Sequence, residues 1–418
     1  MVLRSLSRVS SEAVFALAAF LAPPLAVLVP FGMAVFLPVF GLIAGALLWR
    51  RGGFALVPRV PLAFAALLGL WGGVSLLWAP EPGHAASTLV RVLALAGAGG
   101  LGLGMARLDV LGRSRLIAGA AAAGLALGVG LIAVDLATGN GISGLLSVFK
   151  GGQPVPVEFK SQLSRGATTI AVLFWPFALV AWRGRSLPLA AACLATIVAL
   201  ALSDSLASRL SLAGGGLVFA LVLARPHFGL LSLRVAVVAF VAVLPLVAPA
   251  LPEPPDSFRV LPWLPLSTHH RLIIWHYAGQ RMAEHPWRGW GMEAARADPG
   301  GSEMLSIPAV NDSGQVVGVI VGARMPLHPH NAALQWWLEL GLPGAAILAG
   351  FLWWLIAGIE RNRLLDRPGR ATCAATMVAA LAISAVSYGA WQSWWLGVLW
   401  LVAAFCLMAG RAPVETAR

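Results

Sequence analysis

The stretch FGMAVFLPVFGLIAGALLW, residues 31–49, contains no charged side chain, and Arg50 and Arg51 end it. A helix needs about 20 predominantly apolar residues to cross the hydrocarbon core of a bilayer, so this stretch predicts one membrane span. Comparable apolar runs recur along the chain, and each predicts a further span. The predicted spans are residues 12–29, 31–49, 60–78, 86–104, 116–137, 166–182, 188–203, 212–224, 233–251, 330–358, 371–388 and 392–410.

The composition agrees with this interpretation. Of the 418 residues, 59% are hydrophobic and 11% are charged, whereas a soluble domain carries roughly 25% charged residues. We therefore predict an all-α polytopic membrane protein with about twelve transmembrane helices. Because little more than Pro30 separates the first two runs, eleven helices are the alternative.

Basic residues indicate the orientation of the chain. They concentrate in one alternating set of short loops, and cytoplasmic loops of membrane proteins carry such an excess. We therefore predict cytoplasmic termini in a bacterial inner membrane, and the formal charge of +12 reflects orientation rather than nucleic-acid binding. The loop arginines are Arg50, Arg51, Arg59, Arg107, Arg113, Arg115, Arg183, Arg185, Arg225, Arg234, Arg361, Arg363, Arg367 and Arg370.

Three regions follow from the predicted spans. Residues 1–251 form transmembrane helices 1–9, residues 252–327 form one large periplasmic loop, and residues 328–418 form transmembrane helices 10–12. The loop contains an apolar pattern with helical spacing, which predicts a helix at about residues 268–284. Most of the eight histidines fall in the loop or at the start of the next helix, so we expect the chemistry on the periplasmic face.

The most informative polar segment is HPHNAALQWWLELGLPGA, residues 328–345. Asn331, Gln335 and Glu339 are spaced i, i+4 and i+8, which places them on one stripe of a helix. Polar side chains within a membrane usually face the bundle interior or a cavity. Without other information the segment also fits a capped helix whose Gly341 and Gly344 allow close helix packing.

The segment resembles the O-antigen ligase family of bacterial membrane glycosyltransferases. That family's signature is a histidine, then asparagine, serine or glutamine, nine residues, a glycine, two residues and a glycine. His330, Asn331, Gly341 and Gly344 match it. RLIIWHYAGQRMAEHPWRGWG, residues 271–291, resembles the family's loop motif, and SDSLASRLSLAGG, residues 203–215, loosely resembles its segment ending in an arginine. The resemblance implies a fold like that of GT-C glycosyltransferases.

The resemblance also implies an activity. A ligase of this family moves a finished glycan from undecaprenyl diphosphate onto a lipid A–core acceptor at the periplasmic face, without a metal or other cofactor. An O-antigen or exopolysaccharide polymerase and a protein O-oligosaccharyltransferase share the motifs and the donor. A flippase or other polysaccharide transporter is the non-enzyme alternative, although no internal repeat supports it. The expected partners are the lipid-linked donor glycan, the lipid A–core acceptor and membrane lipids, and nucleic acid is not among them.

The chemistry of such a transfer suggests roles for individual residues. A diphosphate leaving group requires cations, and arginine makes bidentate, permanently charged phosphate contacts. An acceptor hydroxyl must lose a proton, and histidine suits that step near neutral pH. His330 is the preferred base and His328 the second choice. The predicted catalytic residues are His330, Arg209 and Arg271, and those for binding the diphosphate or acceptor are Arg288, His328, Asn331 and Arg91.

Overall fold

The computed structural model describes residues 10–149, 163–203, 205–310 and 316–411. In chain order the helices are α1 (Ser11–Leu28), α2 (Met33–Arg50), α3 (Arg59–Ser75), α4 (Pro82–Met105), α5 (Arg115–Ala137), α6 (Gly141–Phe149), α7 (Ser164–Gly184), α8 (Leu187–Leu202), α9 (Leu206–Ala224), α10 (Pro226–Val247), α11 (Asp256–Val260), α12 (Leu266–Glu284), α13 (Ala294–Ala297), α14 (Ala332–Arg361), α15 (Arg367–Val386) and α16 (Ser393–Gly410). Strands β1 (Met304–Val310) and β2 (Val316–Ala323) lie between α13 and α14.

Among the described residues, ten helices are long and apolar enough to cross a membrane. The predicted all-α polytopic fold is therefore confirmed. Each of the twelve predicted spans coincides with an apolar helix, but α3 and α8 have only 17 and 16 residues. The assignment of α3 and α8 as spans, the orientation and the three-region division stay predictions.

The largest buried cluster lies where α1, α2, α7 and α16 meet. Phe15, Phe177 and Phe405 are fully buried there, and Phe405 makes edge-on contacts with Phe15 at 5.5 Å and with Phe177 at 5.2 Å between ring centroids. Such packing matters in a bilayer, where close van der Waals contact drives helix association. This cluster supports α16, which directly follows the turn of the site described below.

The segment between α10 and α14 combines the predicted helix with an unpredicted hairpin. The helix expected at about 268–284 is present as α12, Leu266–Glu284. β1 and β2 pair antiparallel, with Ile307 opposite Ile320, and one face of the hairpin packs on α12. His270 of α12 bonds the carbonyl of Ala323 at 2.8 Å. We call the end of the bundle at which this segment lies the loop end.

Helix α14 is broken at Gly341, where the backbone has φ 61° and ψ −158°. The break exposes carbonyls that a continuous helix would use internally, and partners from elsewhere bind them. Trp290 N–H donates to the carbonyl of Leu338 at 2.9 Å, and Gly291 N–H donates to that of Glu339 at 2.8 Å. The residue after the break, Leu342, donates its N–H to the carbonyl of Pro286 at 2.9 Å.

This break changes the interpretation of the sequence. In the sequence, Gly341 and Gly344 match the family signature, and close packing between helices was the alternative explanation for them. Instead, the positive φ of Gly341 lets residues 286–291 dock on the backbone of α14. Gly289, with φ 68°, lies so close to Glu339 and Gly341 that a side chain at this position would collide with their backbone. The two sequence motifs therefore meet in one backbone contact.

Candidate active site at the loop end of the bundle

The turn between α15 and α16, residues 387–392, is held by side chains from the start of α14. His330 bonds Ser387, and Gln335 accepts the N–H of Ala390 at 2.8 Å. His328 lies 2.8 Å from the side-chain amide of Gln392. These bonds reach three of the six residues of the turn, at its two ends and in its middle, and so hold the turn against the two histidines.

His330 is held in an unusual conformation immediately before α14. Its backbone φ is 53°, a left-handed conformation that residues other than glycine rarely adopt and that often marks a functional position. The ring Nδ1 lies 2.7 Å from the carbonyl of Ser387. A carbonyl only accepts, so Nδ1 carries the proton, and Nε2 of the neutral ring keeps a free lone pair.

The surroundings of His330 favour its neutral form. Burial lowers its pKa, the bond to Ser387 acts in the opposite direction, and the nearby charges of Arg271 and His270 lower the pKa further. Lowering the pKa of a histidine stabilises the unprotonated ring at neutral pH. His330 therefore has both the tautomer and the protonation state that a general base requires.

His328 is bound differently, although its ring lies 4.4 Å from that of His330 between centroids. Its Nδ1 accepts the backbone N–H of His330 at 3.1 Å, so this nitrogen has no proton. Burial lowers the pKa of His328 to about 3, and the charges of His330, Arg296 and Arg165 add to the effect. With Nδ1 occupied, His328 is better suited to positioning His330 than to taking a proton itself.

Helix α12 brings Arg271 to the same place. The indole of Trp275, one turn after Arg271, donates to the carbonyl of Pro329 at 2.9 Å, which joins α12 to the segment between the two histidines. Arg271 is half-buried and its guanidinium donates to the carbonyl of Ser267 at 3.4 Å, and its charge acts on His330 and on Tyr388. Of the four predicted arginines, Arg271 is the one whose charge acts on His330.

Arg165 was not among the predicted site residues, yet it also lies near the turn. It stands at the start of α7, with its guanidinium 5.0 Å from the ring centroid of Phe31. One turn later, the hydroxyl of Thr168 bonds that of Tyr388 at 2.8 Å, and the charge of Arg165 acts on Tyr388 and His328. The sequence offered one indication of Arg165 as a site residue, namely its position directly before a predicted span, on the predicted periplasmic side.

Three other predicted residues lie elsewhere. Arg209 is exposed near the start of α9, whose Gly214 packs on Val378 of α15. Arg288 is exposed, 5.7 Å from the ring centroid of Trp78. Arg91 is exposed on α4 and donates to the hydroxyl of its neighbour Thr88 at 2.7 Å. The described contacts of these three arginines do not include either histidine, so their roles in binding stay predictions.

The predicted polar stripe on α14 is confirmed as a buried one. Asn331, Gln335 and Glu339 are 4%, 2% and 0% exposed. The side chain of Asn331 accepts the N–H of Leu334 at 3.1 Å and so caps the helix. Asn331 therefore stabilises the start of α14, and its predicted role in binding the diphosphate or the acceptor stays a prediction. Gln335 and Glu339 were not predicted as site residues, although the same spacing pointed to them.

A large apolar cavity opens beside this turn. Its volume is about 1210 Å³, and Gly389, Ala390 and Trp391 line one part of it. Side chains of α3, α4, α10, α14, α15 and α16 form its walls, and its lining extends to Arg107 and Arg411. Among the described residues, no three His, Cys, Asp or Glu side chains come together as a possible metal site.

Comparison with known proteins supports the sequence resemblance. The O-Antigen ligase family model matches residues 189–349. This region runs from α8 to the first part of α14 and contains Arg209, Arg271, His328 and His330. The predicted resemblance is confirmed, and the family supports a ligase-type glycosyltransferase in a multi-pass membrane protein.

Curated relatives come from Rickettsia and carry the name "Putative polysaccharide ligase". The chain is 28% identical to the Rickettsia conorii protein over 238 residues, which cover 56% of this chain and 54% of the relative. For the Rickettsia prowazekii protein the identity is 25% over 242 residues, 57% of each chain. For the Rickettsia felis protein it is 32% over 200 residues, 47% of this chain and 46% of the relative. The alignments thus span about half the length of these relatives.

Proposed function

We propose that this protein is an O-antigen ligase that transfers a glycan from undecaprenyl diphosphate to a lipid A–core oligosaccharide at the periplasmic face of the inner membrane. The observation that carries the proposal is the state of His330. Its Nδ1–H is committed to the carbonyl of Ser387 at 2.7 Å, which leaves Nε2 as an acceptor within reach of the Arg271 charge. A base and a permanent cation side by side are what a hydroxyl nucleophile and a diphosphate leaving group require.

The proposed step is a single displacement. The acceptor hydroxyl oxygen forms a bond to the anomeric carbon, and the bond from that carbon to the diphosphate oxygen breaks. The hydroxyl proton moves to Nε2 of His330, and the electron pair of the broken bond leaves with undecaprenyl diphosphate. Attack from the side opposite the leaving group inverts the anomeric configuration. We propose that the reaction uses no metal or other cofactor.

The large cavity supports an amphiphilic donor. Its lining is almost entirely apolar, and it begins at Gly389 and Ala390, in the turn that His328 and Gln335 contact. A lipid-linked glycan has an apolar tail joined to an anionic diphosphate. With the tail along the cavity, the diphosphate lies near Arg271, and we propose that Arg209 and Arg288 approach it from the surrounding elements.

The proposal is tested by reconstitution. Purified protein in proteoliposomes is supplied with a polyprenyl-diphosphate-linked glycan and lipid A–core in the presence of a chelator, and the glycosylated lipid is measured. Transfer to lipid A–core supports the ligase. Glycan chains that lengthen without capping the core identify a polymerase. A deletion strain separates the same two outcomes, because losing a ligase removes all capped lipopolysaccharide, whereas losing a polymerase leaves the core capped with a single repeat.

The pH dependence of transfer should report the lowered pKa of His330. The base must be unprotonated, so kcat/KM should remain at its plateau at neutral pH. It should decline only as the pH falls through a value below about 6.5, the ordinary histidine pKa. The measurement is a kcat/KM profile for the wild type and for His227→Ala, whose ring is 82% exposed and bonds Glu360 instead. An acid limb at or above the ordinary value would contradict the buried, unprotonated base.

Arg271→Lys should reduce transfer strongly although it conserves the charge. Lysine lacks the planar fork that binds two phosphate oxygens, so we expect a loss of about 10-fold or more, the equivalent of one charge-assisted hydrogen bond. Arg259→Lys is the matched control, because Arg259 lies in the same loop segment, is 79% exposed and pairs only weakly with Asp256 at 3.7 Å. Equal activity of the two variants would remove Arg271 from the proposed site.

A further inference from the structure

Glu339 is fully buried in α14, two residues before the break. Both of its carboxylate oxygens accept hydrogen bonds. One oxygen receives the backbone N–H of Glu293 and the indole N–H of Trp391, each at 2.6 Å. The other receives the side-chain amide of Gln335 at 2.9 Å and, over a longer distance of 3.4 Å, the N–H of Ala295.

These donors come from three separate parts of the chain. Glu293 and Ala295 belong to the segment that follows the docked loop, Gln335 lies one turn earlier on α14, and Trp391 lies in the turn between α15 and α16. A carboxylate that accepts at both oxygens can satisfy such converging N–H groups, whereas an apolar side chain would leave them buried without partners. Glu339 therefore joins the loop, the helix and the turn.

The connection continues from Glu339 to His330. Through Trp391, Glu339 holds one end of the turn directly. Through Gln335, whose oxygen accepts the N–H of Ala390 at 2.8 Å, it holds the middle. The other end of the same turn supplies the Ser387 carbonyl that binds Nδ1 of His330 at 2.7 Å. A shift of the turn would move that carbonyl and release the ring.

We propose that Glu339 is a positioning residue for His330: by fixing the turn at residues 387–392, it keeps the Ser387 carbonyl on Nδ1 and Nε2 free. This inference rests on the proposed function of His330 as a base. Glu339 itself touches neither reacting group, because its carboxylate is enclosed by Glu293, Ala295, Gln335 and Trp391. Its effect on transfer passes through the tautomer and orientation of the histidine ring.

Glu339→Gln is the sharpest perturbation because it conserves volume. The amide has one accepting oxygen and one NH₂ group, so the N–H groups that face the NH₂ lose their acceptor. If Gln335 rotates its amide to compensate, it turns its own NH₂ toward the N–H of Ala390 and loses that bond instead. The turn is loosened in either arrangement. We expect kcat to fall by about 10–100-fold, as for other supporting contacts of a functional group, with KM little changed.

A double-mutant cycle separates positioning from general structural damage. If Glu339 acts through His330, Glu339→Gln should cost nothing further in a His330→Ala background, because groups that act as a unit are not additive. Multiplying losses would overturn the proposal. Trp391→Phe removes one of the donors and preserves the aromatic core, so it should show a smaller kcat loss in the same direction. A wild-type kcat for both Glu339→Gln and Trp391→Phe would also overturn it.

The tautomer itself gives a readout that needs no transfer. In protein labelled with ¹⁵N-histidine, the His330 signals, assigned by their absence from His330→Ala, should show a protonated Nδ1 in the wild type. In Glu339→Gln they should shift toward a mixture of tautomers. An unchanged tautomer would refute the positioning role even if no glycan substrate is ever turned over. A protein that shows the predicted shift but transfers no glycan would contradict the proposed function alone.

The matched control is Glu303→Gln. It makes the same change from a carboxyl to an amide group. Glu303 lies directly before β1, but it is 57% exposed and pairs with Arg324 at 2.7 Å. Its kcat and its His330 signals should equal those of the wild type. A change in this variant as large as that in Glu339→Gln would mean that the signals report overall charge rather than the turn, and would overturn the assignment.

Discussion

Replacing His330 by alanine is expected to reduce glycan transfer to a small residual rate and leave a folded protein. A general base contributes roughly 10²–10⁴-fold to a reaction of this kind, and the variant loses the Nε2 that we propose takes the acceptor proton. The ring makes one hydrogen bond to Ser387, so its loss leaves the helices packed. The measurement is the transfer rate of purified variant and wild type at equal protein concentration.

The backbone of His330 calls for a second variant. With φ at 53°, alanine in this position is strained by roughly 1–2 kcal/mol. Asparagine tolerates the left-handed conformation and lacks the base, so His330→Asn should be equally inactive but more stable. His227→Ala serves as the control and should transfer at the wild-type rate.

His328 provides the competing outcome. His328→Ala should be milder than His330→Ala, because it removes a support for the backbone of His330 rather than the base. If His328→Ala were inactive and His330→Ala nearly normal, the base would be His328. Nearly normal transfer by both variants would mean that the arginines alone drive the reaction by stabilising the leaving diphosphate.

Local sequence patterns predicted the parts of the site that depend on one helix. The spacing of Asn331, Gln335 and Glu339 depends only on the geometry of α14, and all three are buried as expected. The apolar spacing of α12 likewise placed Arg271 on a helix. Such periodicities are visible in the chain because each residue's face is set by its neighbours a turn away.

The missed features depend on contacts distant in sequence. Arg165 lies near His328 because Thr168 bonds Tyr388, which is 220 positions away along the chain. No local pattern distinguishes Arg165 from the other arginines predicted on the periplasmic side. The hairpin was missed for a different reason. Its first strand, β1, contains Pro308, a residue that sequence patterns associate with loops and strand edges.

The two glycine-containing motifs show what spacing alone leaves open. Sequence matched Gly341 to the family signature and offered helix packing as the alternative explanation. Its purpose became apparent only with the bonds from Trp290 and Gly291 to α14. Pro343 contributes to the same arrangement, because it has no N–H for the carbonyl of Glu339, which instead accepts from Gly291. The loop motif and the histidine motif are thus two sides of one interface.

Gly341→Ala is accordingly expected to destabilise the protein and abolish transfer. The φ of 61° and ψ of −158° lie in a region open essentially to glycine alone, where another residue costs on the order of 1–3 kcal/mol. A Cβ there would also collide with the carbonyl of Trp287 and the N–H of Gly289. The docked loop would separate from α14, and with it the segment that binds Glu339. Thermal unfolding in detergent and the transfer rate are the two measurements.

Gly119→Ala is the control in a regular helix away from the cavity. Gly119 lies in α5, and a Cβ at this position meets no atom within 4 Å. Alanine favours helix over glycine by roughly 0.5–1 kcal/mol, so this variant should unfold at the same or a slightly higher temperature and transfer normally. If Gly341→Ala instead matched Gly119→Ala in both measurements, α14 would tolerate a continuous helix at residue 341. In that case the docking of residues 286–291 on α14 would not be required to position Glu339, the turn at residues 387–392 and His330.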